Sequence, residues 1–153
     1  MSPAQEITVR STAFAEGEGI PSRFTCDGDG EQPSLTWEGV PAEAEALALV
    51  VDDPDAPRGT FTHWVVLDLP PGTTGLEAGA LPPGARQARN SGGGTAYYPP
   101  CPPTGVHRYR FTVYALRGPT GLSEGAGLDV ALRAVESHTV ARGRLTGTYE
   151  RQA

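Results

Sequence analysis

The stretch DDPDAPRGTFTHWVV, residues 52–66, decides the fold because it joins two apolar segments through a charged, proline-stiffened turn. The segment before it, ALALVVD (46–52), and the segment at its end, HWVVLDL (63–69), are almost uniformly apolar. Short apolar runs of this kind are typical of central strands that are covered on both faces. Proline fixes φ and removes a backbone donor, so the turn holds its aspartates in defined directions. The sequence therefore predicts two buried strands joined by a rigid turn.

Composition excludes several classes of function. The 153 residues suffice for one domain, and they contain no apolar run near the ~20 residues that a membrane span requires. The formal charge of -6 disfavours nucleic-acid binding, which depends on basic side chains. All 12 basic residues are arginines, so Schiff-base and P-loop lysine chemistry are excluded. We expect a single soluble domain over residues 1–153 that binds no nucleic acid and has no membrane span.

The N-terminus and the two cysteines bear on cellular location. MSPAQEITVR (1–10) lacks the basic and apolar regions of a secretory signal, which favours a cytoplasmic location. In a reducing compartment we expect Cys26 and Cys101 to be free thiols, with a disulfide as the alternative. A stabilised Cys101 thiolate could act as a nucleophile, but loop cysteines are more often inert.

Further strands and one helix complete the predicted fold. Glycine and proline, at 20 and 15 residues, punctuate β-rich runs along the chain. The other candidate strands are EITVR (6–10), SLTWEG (34–39), YRFTVYAL (109–116) and RLTGTYER (144–151). A helix is predicted from Asp129, which can cap it, to Arg142, with Gly143 ending it. The pattern favours a mainly β protein with one major C-terminal helix.

The first candidate site lies in the opening stretch. Asp53 and Asp55 follow one apolar strand, and His63 begins the next. Rigidly placed carboxylates suit a binding site, but aspartates in turns also cap local amides, and this second interpretation stays open.

The second candidate site is YYPPCPPTGVHRYRF (97–111). Four prolines flank Cys101, whose amide is therefore the only backbone donor in a rigid five-residue arc. His107 and Tyr109 have the same strand parity and should face one side, whereas Arg108 faces the other. The alternative is a solvated proline loop before a half-buried strand. Because each proline-stiffened loop leads to a histidine at the start of a strand, the two segments together predict a shared pocket.

These segments resemble the paired signatures of the phosphatidylethanolamine-binding protein family. They are D-P-D-A-P followed by H-W (53–64), P-P-C-P-P (99–103) and G-x-H-R-Y-x-F (105–111). FTCDGDGEQPSLTWEGVP (24–41) and HTVARGRLTGTYE (138–150) are similar to the early and final segments of its short bacterial, Raf-kinase-inhibitor-like branch. The resemblance covers nearly the whole chain.

The resemblance implies an antiparallel β-sandwich with a small pocket for phosphorylated head groups or other anions. The residues it implies at this pocket are Asp53, His63, His107 and Tyr109, with Asp55 in support and the loop from Tyr97 to Cys101, including Pro100, as one wall. We expect no cofactor and no metal. The resemblance also implies a homodimer and a role as an inhibitor or regulator of a kinase or protease.

An aspartate can belong to an anion pocket without contacting the anion. Asp53 or Asp55 could accept a ring N–H from a histidine, fixing its tautomer and favouring its charged form, so that the other ring nitrogen donates to the ligand. The Tyr109 hydroxyl and the Cys101 amide could add donors. One carboxylate could instead contact an ammonium group, as in phosphoethanolamine.

A metal-dependent enzyme is the rival interpretation. Asp53, Asp55, His63 and His107 form a carboxylate and imidazole set that suits iron, manganese or zinc, although their spacing matches no recognised ligand pattern. No G-x-S-x-G nucleophile elbow occurs, so nothing indicates acyl transfer. We therefore expect a binding protein rather than an enzyme.

Overall fold

A computed structural model describes residues 7–151 and places them in two antiparallel sheets and one α-helix. The strands are, in chain order, β1 (Thr8–Arg10), β2 (Leu35–Glu38), β3 (Ala46–Asp53), β4 (Phe61–Leu69), β5 (Gly75–Leu76), β6 (Arg86–Gln87), β7 (His107–Leu116) and β8 (Thr139–Tyr149). The helix α1 spans Leu128–His138, and a 3₁₀ turn spans Ser22–Phe24. The predicted mainly β fold with one major C-terminal helix is confirmed.

The molecule has three layers with the large sheet in the middle. The large sheet has the strand order β6-β4-β3-β7-β8, and the small sheet has the order β1-β2-β5. Trp37 of the small sheet and Leu49 of the large sheet belong to the core between the two sheets. Val50 faces the opposite way and packs with Val135 of α1 in a second core. Successive side chains of a strand point to opposite faces, so β3 contributes to both cores.

The two apolar segments of the opening stretch form central strands, as predicted. Every residue of β3 except Asp52 is buried, and so is every residue of β4 except Phe61 and Asp68. The predicted strands at 34–39 and 109–116 also form, as β2 and β7. Residue 6 of the predicted first strand lies outside the described residues. The two-residue strands β5 and β6 were not predicted, because so short a run has no readable periodicity.

The helix ends four residues earlier than predicted. Its N-cap is Gly127, whereas Asp129 lies within the first turn. Gly143 does not end the helix but pairs with Val113 inside β8, which begins directly after α1. A side-chain carbon at residue 143 would overlap the Ile7 carbonyl oxygen, so the glycine permits a close backbone approach. The sequence prediction was wrong because it assigned Gly143 to the end of the helix, whereas the glycine is needed for this close packing.

Candidate functional site

A cavity of ≈ 160 Å³ lies at one end of the large sheet, where β3 ends and β4 and β7 begin. Its wall combines five side chains that carry polar groups with an apolar remainder. The lining residues are Asp53, Ala56, Pro57, Phe61, His63, Tyr98, Cys101, Pro102, Pro103, His107 and Tyr109. The two candidate segments of the sequence therefore meet in one place.

A β-bulge turns His63 toward this cavity. Trp64 lies opposite Val51 and Thr62 lies opposite Asp52, so His63 is the extra residue of β4. An extra residue interrupts the alternation of a strand and redirects the side chain. His63 can therefore line the cavity although its neighbour Trp64 belongs to the core between the sheets.

Asp53 and His107 form a buried pair in the cavity wall. Nδ1–H of His107 donates to Oδ2 of Asp53 over 2.6 Å, and their side chains are only 4% and 8% exposed. Oδ1 of Asp53 accepts the backbone N–H of Asp55 at 2.8 Å. Both carboxylate oxygens therefore have a donor, and the tautomer of His107 is fixed with its proton on Nδ1.

His63 is oriented by a backbone carbonyl rather than by a carboxylate. Its Nδ1 atom lies 2.7 Å from the carbonyl oxygen of Tyr98, which can only accept, so Nδ1 carries the proton. Burial lowers the pKa of His63, although this hydrogen bond and the charge of Asp53 act in the opposite direction. Burial therefore favours the neutral form of the ring.

Tyr109 completes the polar part of the wall. Its ring packs edge-on against His63, with centroids 5.4 Å apart, and lies nearly parallel to His107 at 6.4 Å. Burial and the nearby Asp53 carboxylate raise the pKa of the phenol well above its usual value. Tyr109 therefore keeps its hydroxyl proton.

A disulfide between Cys26 and Cys101 attaches the loop of residues 97–103 to the segment after the 3₁₀ turn. The prediction of two free thiols is wrong. The cysteines are 75 residues apart in sequence, but the fold brings their Cα atoms to 5.4 Å, which spacing along the chain does not reveal. The bridge also leaves no thiol at Cys101 to act as a nucleophile.

Five of the eight predicted site residues line the cavity: Asp53, His63, Cys101, His107 and Tyr109. Asp55, Tyr97 and Pro100 are not among the lining residues. Tyr97 donates its hydroxyl to the Phe24 carbonyl at 3.1 Å, and the Pro100 carbonyl accepts the N–H of Cys26 at 3.0 Å. Both residues fasten the loop from outside.

Asp55 is engaged by Arg108 instead of by the cavity. Arg108 donates to both carboxylate oxygens, at 2.8 and 2.9 Å, and its backbone N–H donates at 2.9 Å. These hydrogen bonds hold the pKa of Asp55 far below its usual value. Asp55 thus contributes to the site through its backbone N–H, which donates to Asp53.

Sequence reasoning missed six lining residues: Ala56, Pro57, Phe61, Tyr98, Pro102 and Pro103. Four of them, Ala56, Pro57, Pro102 and Pro103, belong to the D-P-D-A-P and P-P-C-P-P motifs, so assigning whole motifs to the site would have found them. Tyr98 lies in the loop that was predicted to form one wall, but only its neighbour Tyr97 was named, because parity cannot be read in an irregular loop.

The geometry gives no support to the metal-dependent alternative. Asp55 does not face the cavity, and Oδ2 of Asp53 is bonded to His107. Within residues 7–151, no group of three or more His, Cys, Asp or Glu side chains is placed to hold a metal ion.

Comparison with known proteins identifies the family of this chain. Residues 10–150 match the phosphatidylethanolamine-binding protein family. The chain belongs to this family. The resemblance noted in the sequence is confirmed, and the antiparallel sheets with one helix are the architecture of the family's solved members.

Relatives from distant organisms match almost the full chain. A UPF0098 protein of Methanothermobacter thermautotrophicus is 47% identical over 95% of this chain and 99% of its own. The phosphatidylethanolamine-binding protein homologue CT736 of Chlamydia trachomatis superposes with a TM-score of 0.90 at 38% identity, covering 97% of this chain and 100% of its own. Escherichia coli YbcL gives a TM-score of 0.90 at 31% identity, covering 96% and 99%.

Cellular location is less constrained than the fold. A Mycobacterium tuberculosis relative, 44% identical over 96% of this chain and 74% of its own, is named "Putative lipoprotein LppC". In the described part of this chain, no helix has the length and apolarity that a membrane crossing requires. The predicted cytoplasmic location stays a prediction.

Proposed function

We propose that this chain is a binding protein whose cavity takes a small phosphorylated or otherwise anionic group, without turnover. The observation that carries the proposal is the convergence of His63, His107 and Tyr109 on one cavity, beside a carboxylate that already has its donors. Concave sites with a few oriented polar groups in an apolar wall are typical of small-ligand binding.

The Asp53 carboxylate lies in the cavity wall, but its repulsion of a bound anion is reduced by its hydrogen bonds. Oδ2 accepts from His107 and Oδ1 accepts from the Asp55 amide, so both oxygens are directed at protein donors. Hydrogen bonds of this kind disperse the negative charge, and the imidazole lies between the carboxylate and a ligand. Asp53 then acts by orienting His107.

The anion would be bound by donors on three sides. The Tyr109 hydroxyl keeps its proton and can donate from the sheet. The two imidazoles can donate through Nε2 once protonated. The backbone N–H of Cys101 donates to no backbone or side-chain acceptor among the described residues and lies in the loop that walls the cavity.

Isothermal titration calorimetry with inorganic phosphate and with O-phosphoethanolamine tests this function. Wild type should bind at least one of them. Tyr109→Phe removes one hydroxyl from the cavity and should weaken binding by about tenfold, the value of one hydrogen bond to a charged group. Tyr114→Phe is the matched control, because Tyr114 lies on the same strand but packs with the second core. Absence of binding by folded wild type would reject the proposal.

The finer predictions from the resemblance have separate tests. A single domain should unfold in one cooperative transition. Kinase or protease inhibition should appear when the purified chain is added to such enzymes, and a homodimer should appear in light scattering. Fractionation of the source cells tests the cytoplasmic location. The alternative is an oxidising compartment, because disulfides such as Cys26–Cys101 persist there.

A further inference from the structure

We propose that the cavity takes up a proton together with its anionic ligand, and that Nε2 of His63 receives this proton. The inference rests on the proposed function. It adds that binding at neutral pH converts His63 from a hydrogen-bond acceptor into a donor, so affinity for an anion rises as the pH falls.

Fixed partners decide which ring nitrogen of each histidine faces the ligand. The Tyr98 carbonyl occupies Nδ1 of His63, and the Asp53 carboxylate occupies Nδ1 of His107. Both partners are acceptors, so both Nδ1 atoms carry protons. Each ring therefore has only Nε2 to offer to a ligand.

Nε2 of His63 is accessible from the cavity. Every fully buried side-chain nitrogen or oxygen in residues 7–151 has a hydrogen-bond partner. Nε2 of His63 has no such partner among the described residues, although the residue is only 4% exposed and its ring lines the cavity. The small accessible part of the ring therefore includes Nε2. In the neutral ring this atom carries a lone pair, which repels an anion.

The surroundings of His63 favour the neutral ring, although not every neighbouring group acts in that direction. Burial lowers the pKa of the ring, and the carboxylates of β3 oppose this effect. The titratable groups whose charge acts on His63 are Asp52 and Asp53 of β3 and His107 of β7, and the rings of Tyr98 and Tyr109 pack against it. Asp52 is paired with Arg110 and Asp53 with His107, so neither carboxylate is a free counterion.

An anion in the cavity supplies the missing counterion. A negative charge beside a buried imidazole favours the protonated ring, which offsets the desolvation that otherwise keeps it neutral. The same proton turns Nε2 into a donor for the anion. Ligand and proton therefore bind with positive coupling, which is reciprocal.

Sulfate is the sharpest probe, because it remains a dianion over the whole neutral range whereas phosphate titrates there itself. Calorimetry with sulfate, in buffers of different ionisation enthalpy, measures the protons taken up per ion bound. We expect net uptake at pH 7 and an affinity that falls by up to about tenfold per pH unit above the pKa of the free ring. Sulfate should also raise the pKa of His63 in an NMR titration of wild type.

His63→Gln should abolish the uptake, and His138→Gln is the matched control because Nδ1 of His138 contacts the Ala134 carbonyl in α1. Sulfate binding without proton uptake, or uptake that survives His63→Gln, would overturn the inference while leaving the anion site standing. Binding of phosphate or O-phosphoethanolamine but not of sulfate would also overturn it, because the ligand would then bring its own proton. If sulfate, phosphate and O-phosphoethanolamine all fail to bind, the proposed function itself fails, and the inference fails with it.

Discussion

Nδ1 of His107 lies 2.6 Å from Oδ2 of Asp53, and this hydrogen bond joins the first residue of β7 to the last residue of β3. The two strands are neighbours in the large sheet, so the bond fastens their ends where backbone pairing stops. The same contact fixes one imidazole in the cavity wall. The buried pair therefore both stabilises the sheet end and orients the His107 ring in the cavity.

Asp53→Asn should destabilise the protein although the two side chains have nearly the same shape. The carboxylate accepts from His107 and from the Asp55 amide, whereas an asparagine amide has only one oxygen and must direct its NH₂ group at one of these donors. We expect the free energy of unfolding to fall by about 1–3 kcal/mol, the cost of an unsatisfied buried polar group. Urea denaturation measures this loss, with the exposed Asp29→Asn as control. Equal losses in the two variants would contradict the role of the pair.

Reduction of the Cys26–Cys101 disulfide should lower stability strongly. The bridge closes a loop over a sequence separation of 75 residues. In the chain-entropy account, removal of a crosslink of this length costs about 4 kcal/mol, because the unfolded chain regains freedom. Thermal unfolding with and without a phosphine reductant measures the difference. Cys26→Ser with Cys101→Ser should match reduced wild type and should not respond to reductant; a wild type insensitive to reductant would contradict the bridge.

Gly143→Ala should be far more harmful than an ordinary exchange of glycine for alanine. The added carbon would overlap the Ile7 carbonyl oxygen, a backbone atom that cannot move aside cheaply. Overpacking of this kind costs about 1–3 kcal/mol or more. Gly72→Ala is the control, since a carbon there meets no atom within 4 Å. Similar melting temperatures for both variants would show that Ile7 and β8 are not in close contact.

Asp55 should contribute a stability that disappears in acid. Its pKa is depressed in the folded state by Arg108, so the stabilisation is present above the unfolded value of about 3.9 and is lost as the pH falls through the folded value. Urea unfolding at a series of acidic pH values should therefore be less pH-dependent in Asp55→Asn than in wild type. Asp29→Asn should keep the wild-type slope. Parallel curves for Asp55→Asn and wild type would contradict the assignment of the ion pair.

The sequence predicted the parts of the fold that depend on local pattern. The apolar runs at 46–52 and 63–69 became central strands because periodicity and burial are properties of a short window. The shared parity of His107 and Tyr109 likewise placed both on the cavity side of β7. The order of the motifs along the chain then indicated the phosphatidylethanolamine-binding protein family.

The parts that failed depend on contacts between distant segments. The pairing of Cys26 with Cys101 and the need for glycine at 143 both arise only when remote parts of the chain meet. The bulge at His63 is visible only in the register with β3. Choosing Tyr97 rather than Tyr98 for the cavity failed because an irregular loop has no fixed alternation.

The central claim is that two imidazoles in this cavity contact an anion, and NMR of the histidine side chains tests it most directly. During titration with inorganic phosphate, the Nε2 signals of His63 and His107 should move along one saturating curve, while His138 stays unchanged. The chain has 3 histidines, so the control is internal. A folded protein in which neither His63 nor His107 responds at any phosphate concentration would contradict the account.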